Sequence, residues 1–165
     1  MTAIVRIKTS TRESIGSRRI SVRASPIHGK GVFALRVLAG GELICEYKGA
    51  RIGWDAAMSG PPHDPAQPDH TFYFELGDGY AIDGAVGGNS ARWINHSCDP
   101  NCEPELDNGR IFIRARRRIE AGDELSIDYA LVGNRRVTRA LRQRYACHCG
   151  ANVCRGTMIA GGRSR

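Results

Sequence analysis

Arg92-Trp93-Ile94-Asn95-His96-Ser97-Cys98 sets an amide, an imidazole and a thiol side by side in a run too irregular for simple packing. Its partner lies far downstream, where Cys147-His148-Cys149-Gly150 and then Cys154 supply three thiols. A tetrahedral metal site needs four ligands, and Cys98 is a candidate for the missing one. His148 falls between two candidate ligands, where it would point away if both bind, so it is not counted among them.

Working outward, 165 residues suit one domain with a real core. The first residues, Met1-Thr2-Ala3-Ile4-Val5-Arg6, contain no apolar run of signal-peptide length, and no stretch is long enough to cross a bilayer. The expectation is therefore an intracellular, cytoplasmic protein without a membrane partner, assumed monomeric. In that setting the cysteine cluster reads as metal-binding, Zn(II) above all, rather than as a disulfide framework. Cys45, inside Leu43-Ile44-Cys45-Glu46-Tyr47, reads as a buried strand cysteine, and Cys102 as a second spare thiol.

The net charge of +7 is almost wholly arginine, because Lys8, Lys30 and Lys48 are the only lysines. Such a balance points toward nucleic acid or an acidic partner. Charge runs are more often solvated faces, so nucleic acid stays a minor expectation.

Short β-like runs recur at 19–23, 31–35, 43–48, 71–76, 80–83, 110–115 and 125–128, mostly separated by glycine-rich turns. This pattern argues for a mainly β domain of small sheets with one or two short helices, not a parallel α/β sheet. Residues 1–18 and 159–165 read as flexible tails. Prolines 61, 62, 65 and 68 make 59–69 an irregular insertion. Asn134 is placed to cap a helix reaching Tyr145, with Val137 and Leu141 on one face.

Four segments carry the chemistry: Gly29-Lys30-Gly31-Val32-Phe33, Asn95-His96-Ser97-Cys98, Glu124-Leu125-Ser126-Ile127-Asp128-Tyr129 and the terminal cysteines. Each alone has a plain structural explanation, as a turn, a satisfied histidine or a core tyrosine. Together, in this order and spacing, they resemble the SET-domain protein lysine methyltransferases. Gly29-Lys30-Gly31 looks like that family's G-x-G turn, and Glu46-Tyr47-Lys48-Gly49 like its E-Y-x-G strand. Gly88 to Asn101 looks like its long G-N-x-A-R-F-I-N-H-S-C-x-P-N motif, Glu124 to Tyr129 like E-L-x-x-D-Y, and the cysteines like its post-SET region. The resemblance spans about 19–158, divided into a SET domain over 19–133 and a helix with the post-SET zinc region over 134–158.

That resemblance implies a β-clip fold whose C-terminal segment forms a pseudoknot, an exception to the usual avoidance of threading. It also implies transfer of a methyl group from S-adenosylmethionine to the ε-amine of a lysine in a protein substrate, a histone tail or a non-histone protein. Tyr129 is then the catalytic residue. The cofactor falls to Gly29, Lys30, Gly31, Tyr47, Arg92, Asn95, His96 and Tyr145. Phe72, Tyr80, Ile127 and Tyr129 line the lysine channel, and zinc falls to Cys98, Cys147, Cys149 and Cys154.

Three positions depart from the family's common residues: Ile127 for phenylalanine or tyrosine, Trp93 for phenylalanine, and Phe72 for a channel tyrosine. Mono-, di- and trimethylation all stay open. A basic histone tail suits a +7 protein only if Glu103, Glu105, Asp107 or Glu75 forms a local acidic groove. The alternative function is a catalytically silent, zinc-stabilised basic module that binds nucleic acid or an acidic protein.

Overall fold

The alternation in Arg110–Ala115 builds the centre of the molecule, because Ile111, Ile113 and Ala115 turn inward and are buried while Arg110 stays in solvent. In the computed structural model, which describes residues 3–4, 18–67, 69–132 and 136–160, this strand is β10. Its partners are β4 (Leu43–Tyr47) and β9 (Cys102–Asp107), both antiparallel. Asn108 and Gly109 join β9 to β10 with φ of 49° and 72°, the left-handed pair that matches the twist of a hairpin.

A second sheet orders β1 (Ala3–Ile4), β6 (Tyr73–Glu75), β7 (Tyr80–Asp83) and β5 (Ala50–Gly53). A third pairs β2 (Ile20–Ala24) with β3 (Lys30–Ala34). The smallest sets β8 (Asn95–His96) parallel to β11 (Ser126–Ile127), joining segments far apart in sequence. Two short helices complete the described residues, α1 (Trp54–Ser59) and α2 (Arg139–Arg144), with a 3-10 turn over Ser90–Trp93. The mainly β architecture of small sheets is as expected. Among the described residues no helix is long and apolar enough to cross a membrane.

One large apolar cluster joins β3, β4, β7, β10 and β11 through Val32, Ile44, Ile82, Ile111, Ile113 and Ile127. A smaller one gathers Leu131, Tyr145 and Ile159, with Tyr129, Leu141 and Met158 packed against it. Hydrophobic burial scales with the area enclosed, so the large cluster carries most of the stability.

Several boundaries differ from expectation. Ala3 and Ile4 do not fray: they pair with Phe74 and Glu75 on the otherwise open edge of β6, whose backbone groups offer a template. The rest of the expected tail, 5–17, lies outside the described residues. At the other end Ile159 is buried and its amide neighbour Ala160 donates to the Leu131 carbonyl, so the chain is fastened beyond 158; 161–165 lie outside the described residues. α2 starts at Arg139, after Thr138, whose side chain accepts from the Leu141 amide at 3.2 Å. Asn134, the expected cap, lies outside the described residues. The proline-rich segment is irregular as expected, from Gly60, because α1 still includes Ser59; Pro68 lies outside the described residues.

Candidate active site and metal centre

Asn95 organises the base of the site. Its side-chain N–H groups reach Glu124 Oε1 (2.8 Å), the Lys30 carbonyl (3.0 Å) and Ser25 Oγ (3.1 Å), while Ser25 Oγ itself donates to Glu124. Gly31 lies so close to this knot that a Cβ there would collide with the Glu124 carboxylate and Ser25. Gly29 has φ of +47°, open to glycine and strained for most other residues. The G-x-G turn thus supports Asn95 from behind. Gly29, Lys30 and Gly31 do not line the cleft; the preceding Ile27 and His28 do.

That cleft encloses about 440 Å³. Tyr47, Phe72, Arg92, Asn95, His96, Ile127, Tyr129 and Tyr145 all line it, so most of the expected site residues meet in one place. Tyr80 does not. It starts β7 with its ring exposed beneath the Arg51 guanidinium, 4.1 Å away, while the next three residues of the strand are buried.

His96 is held as a neutral imidazole. Its Nδ1 accepts the Tyr129 amide at 3.1 Å, which leaves the proton on Nε2, 3.3 Å from Cys98 Sγ. Burial holds its pKa down to about 4, against the opposing pull of Asp128. Tyr129 donates its hydroxyl to the Ile94 carbonyl at 2.8 Å. Burial, then the nearby Glu124 charge, pushes that phenol above the ordinary tyrosine range, so it stays neutral. Its oxygen lone pairs are not consumed by that bond.

Aromatic rings build the wall. Tyr47 donates to the Phe72 carbonyl at 2.7 Å, Tyr47 packs edge-on to Phe74 at 4.6 Å, and Phe72 meets Trp93 edge-on at 5.2 Å. The Arg92 guanidinium lies 4.8 Å from the Trp93 ring, and its Nε is buried without a hydrogen-bond partner. The same guanidinium donates through Nη1 to the Gly84 carbonyl at 3.4 Å, which holds it at the cleft wall.

Below His96 the four sulfurs of Cys98, Cys147, Cys149 and Cys154 lie within 4.8 Å of one another. Cys98 Sγ is 3.7 Å from Cys147 Sγ and 4.0 Å from Cys154 Sγ. Metal–sulfur bonds of 2.3 Å in a tetrahedron put sulfurs about 3.8 Å apart, so the spacing fits one ion. Backbone amides of Cys98, Cys149, Arg155 and Gly156 point at these sulfurs from 3.4 to 3.5 Å, the donor shell that thiolates require. Burial acts to raise the Cys149 thiol, yet the Cys98 and Ala151 amides and the neighbouring thiols draw it down to about 6. His148 faces the cleft and takes no part. Cys102 is fully buried and Cys45 partly so.

Sequence reasoning missed Asp69 and His70, which reach the cleft from the proline-rich segment, and Arg144 from α2. No motif marks them. The expected acidic groove is not built from Glu75, Glu103, Glu105 or Asp107, none of which lines the cleft; Glu105 is buried against Arg114. Much of the arginine surplus is also engaged: Arg36, Arg51, Arg110, Arg117, Arg118, Arg144 and Arg155 each pair with a carboxylate. This disfavours the silent basic module.

A family model described as the SET domain matches residues 29–130. Histone-lysine N-methyltransferase 2B of Homo sapiens is 32% identical over 153 residues, covering 90% of this chain and 5% of that protein. The H3 lysine-4 specific histone-lysine N-methyltransferase of Saccharomyces cerevisiae is 35% identical over 137 residues, covering 80% and 12%. Histone-lysine N-methyltransferase mes-4 of Caenorhabditis elegans is 35% identical over 163 residues, covering 87% and 17%. The chain therefore spans a small part of the relatives it matches. Among solved structures, a chain of an active polycomb repressive complex 2 in the basal state superposes with a TM-score of 0.56 at 30% identity, covering 66% of this chain and 15% of that one.

Proposed function

Since this chain belongs to the SET-domain family, we propose that it is an S-adenosylmethionine-dependent protein-lysine methyltransferase, with histones the first substrate class to test. The observation that carries the reading is the meeting of Tyr129, Asn95–His96, Arg92 and Tyr145 around one aromatic cleft.

S-adenosylmethionine supplies, when bound, a methyl group on a cationic sulfur. Arg92, a cation on the lining of the cleft, is suited to the methionine carboxylate, and Tyr145 to the adenine ring. A substrate lysine must be neutral to attack, which at pH 7 costs about 4 to 5 kcal/mol from a pKa near 10.4. Phe72, Tyr47 and Ile127 exclude water from the amine and so favour its neutral form. Tyr129, with its hydrogen committed to the Ile94 carbonyl, offers a lone pair to an amine N–H and turns the nitrogen lone pair toward the reacting carbon. His96 has both ring nitrogens engaged and serves to fix the Tyr129 backbone rather than to take a proton.

We further propose Zn(II) as the ion for the four thiols, since a closed all-sulfur tetrahedron suits a structural zinc. Its role is to hold 147–158, and with it Tyr145, against the cleft.

Incubation with methyl-labelled cofactor and core histones, read by peptide mass spectrometry, should show methyl-lysine. Tyr129→Phe should retain fold and cofactor affinity but lose about 100-fold or more in turnover. A fully active Tyr129→Phe removes the assigned role. Wild-type protein that labels neither histones nor any cell-extract protein overturns the function.

A further inference from the structure

Asp69 stands apart from the motifs and yet lines the cleft. It sits in the segment after α1 that has no regular element before β6, so its position comes from side-chain bonds rather than from a backbone ladder. Its carboxylate receives both Nε and Nη2 of Arg144 at 2.6 Å, in the two-pronged geometry that makes guanidinium–carboxylate pairs strong and directional. Asp69 Oδ1 also accepts the Tyr145 hydroxyl at 3.2 Å. Farther back on the same segment, His63 Nε2 lies 3.1 Å from Asp83 Oδ2, at the end of β7. The segment is thus tied at one point to a sheet and at another to α2, on the far side of the cleft.

Among the described residues Asp69 is the partner recorded for the Tyr145 hydroxyl. Its backbone carbonyl is held by the Met158 amide and the Thr157 hydroxyl, and its ring packs with Leu131 and Ile159. Those contacts leave the far end of the ring to Asp69. The Arg144 hydrogen bond in turn keeps the Asp69 carboxyl below the usual carboxylate range. A carboxyl held down in this way keeps its charge until pH falls through its lowered pKa, so the contact is intact at neutral pH.

We propose that Asp69 is a positioning residue: by clasping Arg144 and Tyr145 it fastens the proline-rich segment to α2 and sets the affinity of the cleft for its cofactor. This rests on the methyltransferase reading above. Asp69 touches no reacting atom, so its loss should weaken binding without slowing the chemical step. The same contact joins the two chain segments that flank the mouth of the cleft, so it also restrains them when the cleft is empty.

The test compares wild type, Asp69→Asn and Asp69→Glu as full-length, metal-loaded protein. The Michaelis constant for S-adenosylmethionine should rise about tenfold in Asp69→Asn, with kcat at saturation changed less than about twofold, as loss of one charge-assisted contact implies. Calorimetry with S-adenosylhomocysteine should show the same loss of affinity, and Asp69→Glu should recover most of it. Without any cofactor, hydrogen exchange should quicken together in 60–72 and 139–146 in Asp69→Asn and nowhere in β4, β9 or β10. Wild type that binds S-adenosylhomocysteine while Asp69→Asn binds it equally well overturns the clasp alone. A lowered kcat with an unchanged Michaelis constant, or faster exchange throughout, also overturns it, since either is the mark of a merely structural residue. Wild type that binds no S-adenosylhomocysteine overturns the clasp and the reading beneath it together.

Discussion

The β4–β10–β9 sheet reaches the cleft through Tyr47 and the 136–160 segment through Arg144–His148 and Met158, but the two are built by different physics. The sheet buries Ile111 and Ile113 completely and lies in the large apolar cluster. The C-terminal segment has one six-residue helix, a small cluster around Tyr145, four thiols, and the bidentate pairs Arg144–Asp69 and Arg155–Asp128. Its own apolar burial is too small to order it. The difference teaches that the two parts can be lost separately: one depends on packing, the other on charge and on the zinc proposed for its four thiols.

The strongest way to break this comparison is to remove the proposed zinc. Structural zinc in small domains contributes about 10 to 16 kcal/mol of apparent binding energy, far more than the Tyr145 cluster can replace. Chelation should abolish S-adenosylhomocysteine binding while β-sheet circular dichroism persists. Thiol alkylation at pH 8 gives the count. Cys98, Cys147, Cys149 and Cys154 should react after chelation, whereas burial holds the Cys45 and Cys102 thiols at about 12 and should keep both unreactive. Chelation is cleaner here than Cys98→Ser, which would also remove the partner of His96 Nε2. A chelated protein that still binds the cofactor sinks the comparison.

The converse experiment strikes the sheet. Ile113→Ala empties a fully buried site and should cost about 2 to 5 kcal/mol, lowering the midpoint of the whole domain. Below that midpoint its affinity for S-adenosylhomocysteine should match wild type, since Ile113 does not line the cleft. Selective loss of cofactor affinity in the folded variant would show that the two walls are coupled through the core.

The same division explains what the sequence reveals. Strands 80–83 and 110–115 stand where their patterns put them, and in 110–115 packing on a sheet enforces a two-residue period. β9 is hidden by Glu103, Pro104 and Glu105, residues an edge strand tolerates, although the Asn108-Gly109 pair is a hairpin signal that points to it. Asn95, His96, Tyr129 and the four thiols are legible because their chemistry needs fixed residue types at fixed spacing. Asp69 is not, since a carboxylate in a proline-rich loop has no spacing that ties it to Arg144. Tyr80 shows the opposite error. The family resemblance puts it in the channel wall, whereas strand register decides which face it takes, and that face is the solvent side beneath Arg51.

The finest probe is the start of α2. Thr138 supplies its N-cap, and the first turn has no acidic residue to complement the helix dipole, so that one hydroxyl carries the helix start. Thr138→Ala should cost about 1 kcal/mol, all of it within the C-terminal unit. When binding requires the closed form, this lowers cofactor affinity by at most about fivefold, the full factor being reached where the open form prevails, as after partial metal removal. The global melting midpoint should not move, since the large cluster melts without help from α2. A fall in that midpoint equal to the loss of affinity would mean that α2 and the sheets unfold as one unit. The metal and the Asp69 clasp would then be stabilising a single cooperative domain rather than a separately ordered wall.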